Sequence, residues 1–206
     1  NWSSIPAINP GWMCVKFNKS HLTNIDQPLY LILEGGIYLK YRIKEKVLSL
    51  HGAYQIFDEN DNECFHVKQN AVSLTNKTHL YNMNNKEIAF IHRKVMSMHS
   101  VHYLEMADGT QGEISEKKLF QLHDNYEVEG FGWQITGDIF GHEFQIVDAG
   151  DQIIAESREA WFSIGDLFTV DIYDETQTEK VLAVLVTLSL IHRDREAAMH
   201  NTCLLY

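Results

Sequence analysis

From Lys40 onward, apolar and polar residues alternate in short runs, and each run stops at a cluster of Asn, Asp or Gly. The plainest pair is Tyr54-Gln55-Ile56-Phe57 and Cys64-Phe65-His66-Val67, separated by the polar stretch 58–63. Similar pairs follow: Leu80-Tyr81-Asn82-Met83 with Ile88-Ala89-Phe90-Ile91, Tyr103-Leu104-Glu105-Met106 with 112–115, and 126–130 with 133–137. Glu143-Phe144-Gln145-Ile146-Val147 then pairs with Ile153-Ile154-Ala155-Glu156, before a further run over 167–173. Side chains alternate across a strand, so a period of two marks strands with one buried and one wet face, and short polar turns make neighbours antiparallel. The pattern predicts a meander of roughly ten to twelve strands, closed as a barrel or stacked as two sheets.

Near the end the period changes. Thr176-Gln177-Thr178-Glu179 has the form of a capping box and precedes an apolar run at 181–191, which predicts a helix. Val181, Leu182, Val184, Leu185, Val186, Leu188, Leu190 and Ile191 leave that helix no wet face, and it is too short to span a bilayer. It must therefore be surrounded by protein, and the hairpins are the available wall. Burying about eight such side chains at roughly 1.5 to 3 kcal/mol each gives on the order of 10 to 20 kcal/mol of gross stabilisation. The charged run His192-Arg193-Asp194-Arg195-Glu196 is expected to emerge into solvent at the rim.

Residues 1–39 read differently. They hold all three prolines, Pro6, Pro10 and Pro28, and show little periodicity, so they are expected to form a poorly ordered extension to a domain over 40–200. Cys14, Cys64 and Cys203 are widely spaced and form no C-x-x-C pair, which suits a reducing compartment, and no signal peptide pattern is present at the start; the expected location is the cytoplasm. A formal net charge of -11 repels nucleic-acid phosphates and anionic lipid, so no nucleic-acid partner is expected and a membrane surface is disfavoured.

With the hairpins and the terminal apolar helix in place, the stretch from about 41 to 196 resembles the LURP-one-related proteins of the tubby C-terminal-like superfamily. The resemblance is carried by Tyr41-Arg42-Ile43-Lys44-Glu45-Lys46, by Tyr54-Gln55-Ile56-Phe57-Asp58-Glu59-Asn60, by Trp161-Phe162-Ser163, and by Val170-Asp171-Ile172 before the helix. It implies a closed, mainly β, twelve-stranded antiparallel barrel threaded by a central hydrophobic C-terminal helix. Relatives in the superfamily include phosphoinositide-binding tubby domains and phospholipid scramblases, while bacterial LURP-one-like members have no settled activity. The matching motifs describe architecture rather than catalysis.

Candidate chemistry is sparse. His99 and His102 are the closest histidine pair, but zinc needs three or four converging ligands and the other histidines are dispersed, so no metal or cofactor is expected. The turn Asp58-Glu59-Asn60-Asp61-Asn62-Glu63 starts like a calcium loop but lacks the required Gly and Glu, and Asp171, Asp174 and Glu175 read as a polar turn. No G-x-S-x-G, Walker or G-x-G-x-x-G motif occurs; Gly130-Phe131-Gly132 sits in a turn, and no catalytic residue is assigned. A candidate anionic-ligand surface comprises Arg42, Lys44 and Lys46 along one strand face, with Arg93, Lys94, Lys117 and Lys118; solubilising charges on outer strand faces are the plainer explanation. The sequence thus points to a non-enzymatic binding or scaffold domain for a protein or small ligand of unknown identity, with a peripheral phospholipid-binding or scramblase-like protein as the alternative.

Overall fold

The computed structural model describes residues 31–33, 36–45, 53–70, 77–94, 101–116, 125–139, 141, 143–157 and 166–203. Its strands are β1 (Leu31–Leu33), β2 (Gly36–Glu45), β3 (Tyr54–Asp58), β4 (Glu63–Gln69), β5 (Thr78–Asn82), β6 (Glu87–Arg93) and β7 (Val101–Met106). They continue through β8 (Gln111–Glu116), β9 (Tyr126–Glu129), β10 (Trp133–Asp138), β11 (Glu143–Val147), β12 (Ile153–Ser157) and β13 (Asp166–Ile172) to the helix α1 (Thr178–Cys203). Neighbours in sequence pair antiparallel from β2 to β13, and β2 also pairs with β13, so these twelve strands close into a barrel. β1 lies outside the ring, where it pairs with the first residues of β2.

The helix fills the barrel. Every residue from 181 to 191 is buried, and facing it are the inward positions Ile43, Ile56, Leu80, Ile91, Ile114 and Ile135, each with no exposed surface. Its two polar side chains in this run need no outside partner: Thr187 Oγ1 donates to the Ala183 carbonyl at 2.8 Å and Ser189 Oγ to the Leu185 carbonyl at 3.0 Å. This back-bonding lets a threonine and a serine sit in an apolar lumen without stranded hydroxyls.

The two ends of the helix correct the expectations from sequence. Asp174, not Thr176, provides the cap: its carboxylate accepts the Thr176 N–H at 3.0 Å and opens a short 3₁₀ turn, Glu175–Gln177, that leads into α1. At the other end the side chains from His192 to Arg195 do not leave the fold. The helix continues to Cys203, Arg193 donates to Gln69 Oε1 at 2.9 Å and to Tyr54 Oη at 3.4 Å, and Arg93 pairs with Asp194 at 3.3 Å. Arg195 lies over the Tyr126 ring. These side chains are half-buried because they span the gap from the helix to the surrounding strands.

The connections differ by rim. At the rim where the helix enters, Asp58, Asn82 and Asp148 each start a three-residue loop whose third residue, Asp61, Asn85 or Asp151, has φ of 64, 56 or 59°. This is a type I turn followed by a left-handed residue, and Asn and Asp tolerate that conformation better than other side-chain-bearing residues. Each starting residue also accepts two loop N–H groups: Asp58 from Asn60 and Asn62, Asn82 from Asn84 and Lys86, Asp148 from Gly150 and Gln152. The β7–β8 loop has the same geometry with Gly109 at the left-handed position. At the opposite rim the strands are joined by longer connections that fall mostly outside the described residues.

Candidate functional site

The outward face of β4 to β7 carries a row of six rings. Cross-strand pairing places His66 opposite Tyr81, His79 opposite Phe90, and His92 opposite Tyr103. Ring centroids run 5.5 Å from His66 to Tyr81, 6.2 Å from Tyr81 to His79, 4.8 Å from His79 to Phe90, 5.2 Å from Phe90 to His92 and 5.3 Å from His92 to Tyr103. Lys68 and Lys94 lie over the rings of Tyr81 and Tyr103, 5.0 and 5.5 Å from their centroids. His79 contacts Glu87 at 3.2 Å and His92 contacts Glu105 at 3.3 Å. A groove of about 460 Å³ opens beside the row, lined by His79, Glu87, Phe90 and Glu105 among others. Because the rings stack mainly on one another, they offer solvent their edges, the imidazole nitrogens and the tyrosine hydroxyls rather than free faces.

A second groove, of about 380 Å³, lies on the outer face of β10 to β12 and is lined by Thr136, Glu143, Gln145, Glu156 and Ser157. Glu156 points outward yet is only 1% exposed. Gln145 Nε2 donates to it at 3.2 Å, the Tyr173 hydroxyl donates to its other oxygen, and Asp171 faces it across the β12–β13 ladder. Burying a carboxylate demands such donors, so this cluster is a built polar feature of the wall.

Of the basic residues singled out in the sequence, the four that are described lie in two separate places, Arg42 and Lys44 on β2 and Arg93 and Lys94 at the end of β6. Arg42 and Lys44 share the outward face of β2 with Lys40, as their spacing requires, but acidic or aromatic groups attend all three. Lys40 meets Asp171 at 3.5 Å, Arg42 binds the Asp61 carboxylate, and Lys44 lies over the Phe57 ring. Arg93 sits at the rim where the helix leaves and ties to the helix, whereas Lys94 turns onto the ring row. Lys46, Lys117, Lys118 and His99 lie outside the described residues.

His102 takes an inward position on β7 and is 1% exposed, with neither ring nitrogen hydrogen-bonded. Burial above all, then the positive charge of Arg93 and the neighbouring His92, pushes its pKa down to about 4. Cys64 is half-buried, and burial followed by the Asp58 charge holds its thiol above the ordinary value, which makes it a poor nucleophile at neutral pH. Among the described residues no three His, Cys, Asp or Glu side chains gather in a metal-binding arrangement. No helix of the described residues is long and apolar enough to cross a membrane.

Comparison with known proteins settles the family. The LURP-one-related family matches residues 39–189, which is most of the chain and takes in nearly all of the barrel and most of the buried part of the helix. The chain belongs to the LURP-one-related family. A LURP-one-related chain of this kind is also similar to the uncharacterised protein YxjI of Bacillus subtilis (strain 168), with 26% identity over 149 residues, covering 72% of this chain and 91% of that protein. Among solved structures, a protein from Arabidopsis thaliana matches with a TM-score of 0.53 at 15% identity, covering 74% of this chain and 91% of that one. At that identity the likeness speaks to the fold, and it agrees with the closed barrel and single C-terminal helix described above.

The ring row and the buried Glu156 were missed in reading the sequence. The signal for the first was available: His, Tyr and Phe recur at alternate, outward positions of four successive strands. Treating the histidines as dispersed overlooked that antiparallel pairing would bring them side by side. For Glu156 the sequence shows an ordinary outward strand position, and only the neighbouring strands reveal its burial.

Proposed function

We propose that this LURP-one-related barrel is a non-enzymatic binding or scaffold module that engages a protein or small ligand with its outer surface. The observation that supports this reading is the filled interior: an unbroken run of buried helix residues, 181–191, occupies the space where a ligand-carrying barrel keeps its cavity. Ligand contact then falls to the outside, and the groove beside the ring row is the best-equipped place among the described residues, with the His79 imidazole, the Glu87 and Glu105 carboxylates and the Phe90 ring in one strip. The spacing of Cys14, Cys64 and Cys203 suits the reducing cytoplasm as its compartment. Nucleic acid and cofactors form no part of the proposal.

The test is an amide chemical-shift map of isotope-labelled protein titrated with a mixture of small aromatic, anionic and cationic fragments. Shifts gathered on the outward residues of β4 to β7 support the reading. Shifts centred on inward residues such as Ile135 or Leu185 would mean a ligand enters the barrel and would overturn it. Co-sedimentation with phosphatidylserine vesicles addresses the membrane alternative. Because Arg42, Arg93 and Lys40 are engaged by Asp61, Asp194 and Asp171, no salt-sensitive pelleting is expected; pelleting abolished by charge reversal of Arg42 and Lys44 would favour the peripheral lipid-binding or scramblase-like reading instead.

A further inference from the structure

His102 is the least accommodated side chain in the wall. It is inward-facing and 1% exposed, and both nitrogens lack a hydrogen bond, a state rare for buried polar groups and one that calls for a physical explanation. Directly across the β6–β7 ladder stands Arg93. That arginine holds Asp194 at 3.3 Å, one of the ties that fix the far end of α1 to the barrel. We propose that His102 is an acid-sensitive catch on the exit of the helix: protonating its ring releases the Arg93–Asp194 tie and lets residues 192–203 swing away from the exit rim.

The physical sequence is short. Among the described residues, the charged and titratable groups acting on His102 are Arg93 and His92, both from β6; from its other neighbour in the sheet, β8, Ile114 faces it, and on the helix side Asp194 is held by Arg93. A neutral imidazole can rest there at the cost of unsatisfied nitrogens. A charged one needs water or a carboxylate and repels Arg93, so two costs appear together on protonation. Both are relieved by opening the rim, since water reaches the ring and Arg93 moves away. The apolar section 181–191, which carries no ionisable side chain, has no reason to respond. Because the ring's pKa is about 4 when closed against 6.5 when free, opening becomes about 20-fold more favourable at about pH 5 than at neutrality.

Hydrogen exchange read by mass spectrometry on helix peptides tests this, comparing protection at neutral pH and at about pH 5 after correction for intrinsic rates. The expected result is a loss of protection of up to about 20-fold in 192–203 with 181–191 unchanged. In His102→Leu and His102→Gln, neither of which titrates, the acid response disappears while protection at neutral pH persists. The proposal is overturned if the wild type shows no acid response in 192–203, if the whole helix loses protection together, or if either variant responds as the wild type does.

Discussion

At the rim where the helix enters, hairpin loops turn in three residues under short-range rules, with an Asx carboxyl or amide oxygen holding loop N–H groups and a left-handed Asp, Asn or Gly completing the turn. At the rim where it leaves, the chain relies on long-range ties: Arg193 to Tyr54 and Gln69 across more than a hundred residues of sequence, and Arg93 to Asp194. One rim is specified locally and the other by the assembled fold. The helix between them is the common partner, dry over 181–191 and charged only outside that stretch. The difference teaches where stability and responsiveness reside. Turns written into neighbouring residues shape one end, where the Arg42–Asp61 pair is added to a loop that is already closed, while at the other end partly exposed polar and charge ties hold the helix itself and make its exit sensitive to pH and salt.

Substitutions sharpen that contrast, beginning with the helix that both rims share. Leu185→Ala removes a fully buried side chain from the middle of the lumen and is expected to cost about 2–5 kcal/mol in a denaturant titration, because the surrounding strands cannot collapse onto the gap. Acid follows. His102 has its folded pKa depressed below the unfolded value, so the unfolded chain binds the proton more tightly. Its effect is absent above pH 6.5 and destabilises progressively as pH falls toward about 4, reaching about 3 kcal/mol for a fully closed site. Urea midpoints of the wild type, compared with His102→Leu over this range, would show a smaller acid loss in the variant.

At the entry rim, two glycines in one turn separate backbone conformation from steric contact. Gly130 has φ of 87° and an added Cβ would lie 2.2 Å from the Gln111 carbonyl oxygen, whereas Gly132 has φ of 69° and open space around it. Gly130→Ala is expected to cost about 2 kcal/mol or more, and Gly132→Ala only the left-handed penalty of about 1 kcal/mol. Equal thermal shifts in the two variants would contradict the contact. The smallest effect is expected at the exit rim, where a double-mutant cycle on Arg93 and Asp194 should give a coupling of about 0–1 kcal/mol that shrinks with added salt, since Arg93 is 42% exposed. A coupling that salt leaves unchanged would mean that the exit is better shielded than its geometry indicates.

Much of this division was readable beforehand. The strands follow from period-two runs such as Tyr54-Gln55-Ile56-Phe57, and the helix from an apolar run with no wet face, since both patterns are set by which side chains must avoid water. The cap was misassigned because Asp174 and Thr176 are both competent N-cap residues, and the choice rests on the 3₁₀ turn that intervenes. The helix's extension to Cys203 was hidden for a related reason: charged residues after an apolar run normally signal an exit to solvent, and only the folded wall supplies Tyr54, Gln69 and Arg93 as partners. Candidate-site residues were the least legible. Arg42 looked like an open cation until β3 and its turn brought Asp61 against it, and the ring row exists only once four strands are in register.

The whole fold rests on the barrel enclosing its helix. Paramagnetic broadening of amide signals by a soluble gadolinium chelate measures that enclosure residue by residue. Signals from 181–191 are predicted to stay sharp on every side of the helix, while those of the hairpin loops at 59–61, 83–85 and 149–151 broaden strongly. Broadening that recurs along 181–191 at helical spacing would reveal a face open to water and contradict the enclosed helix.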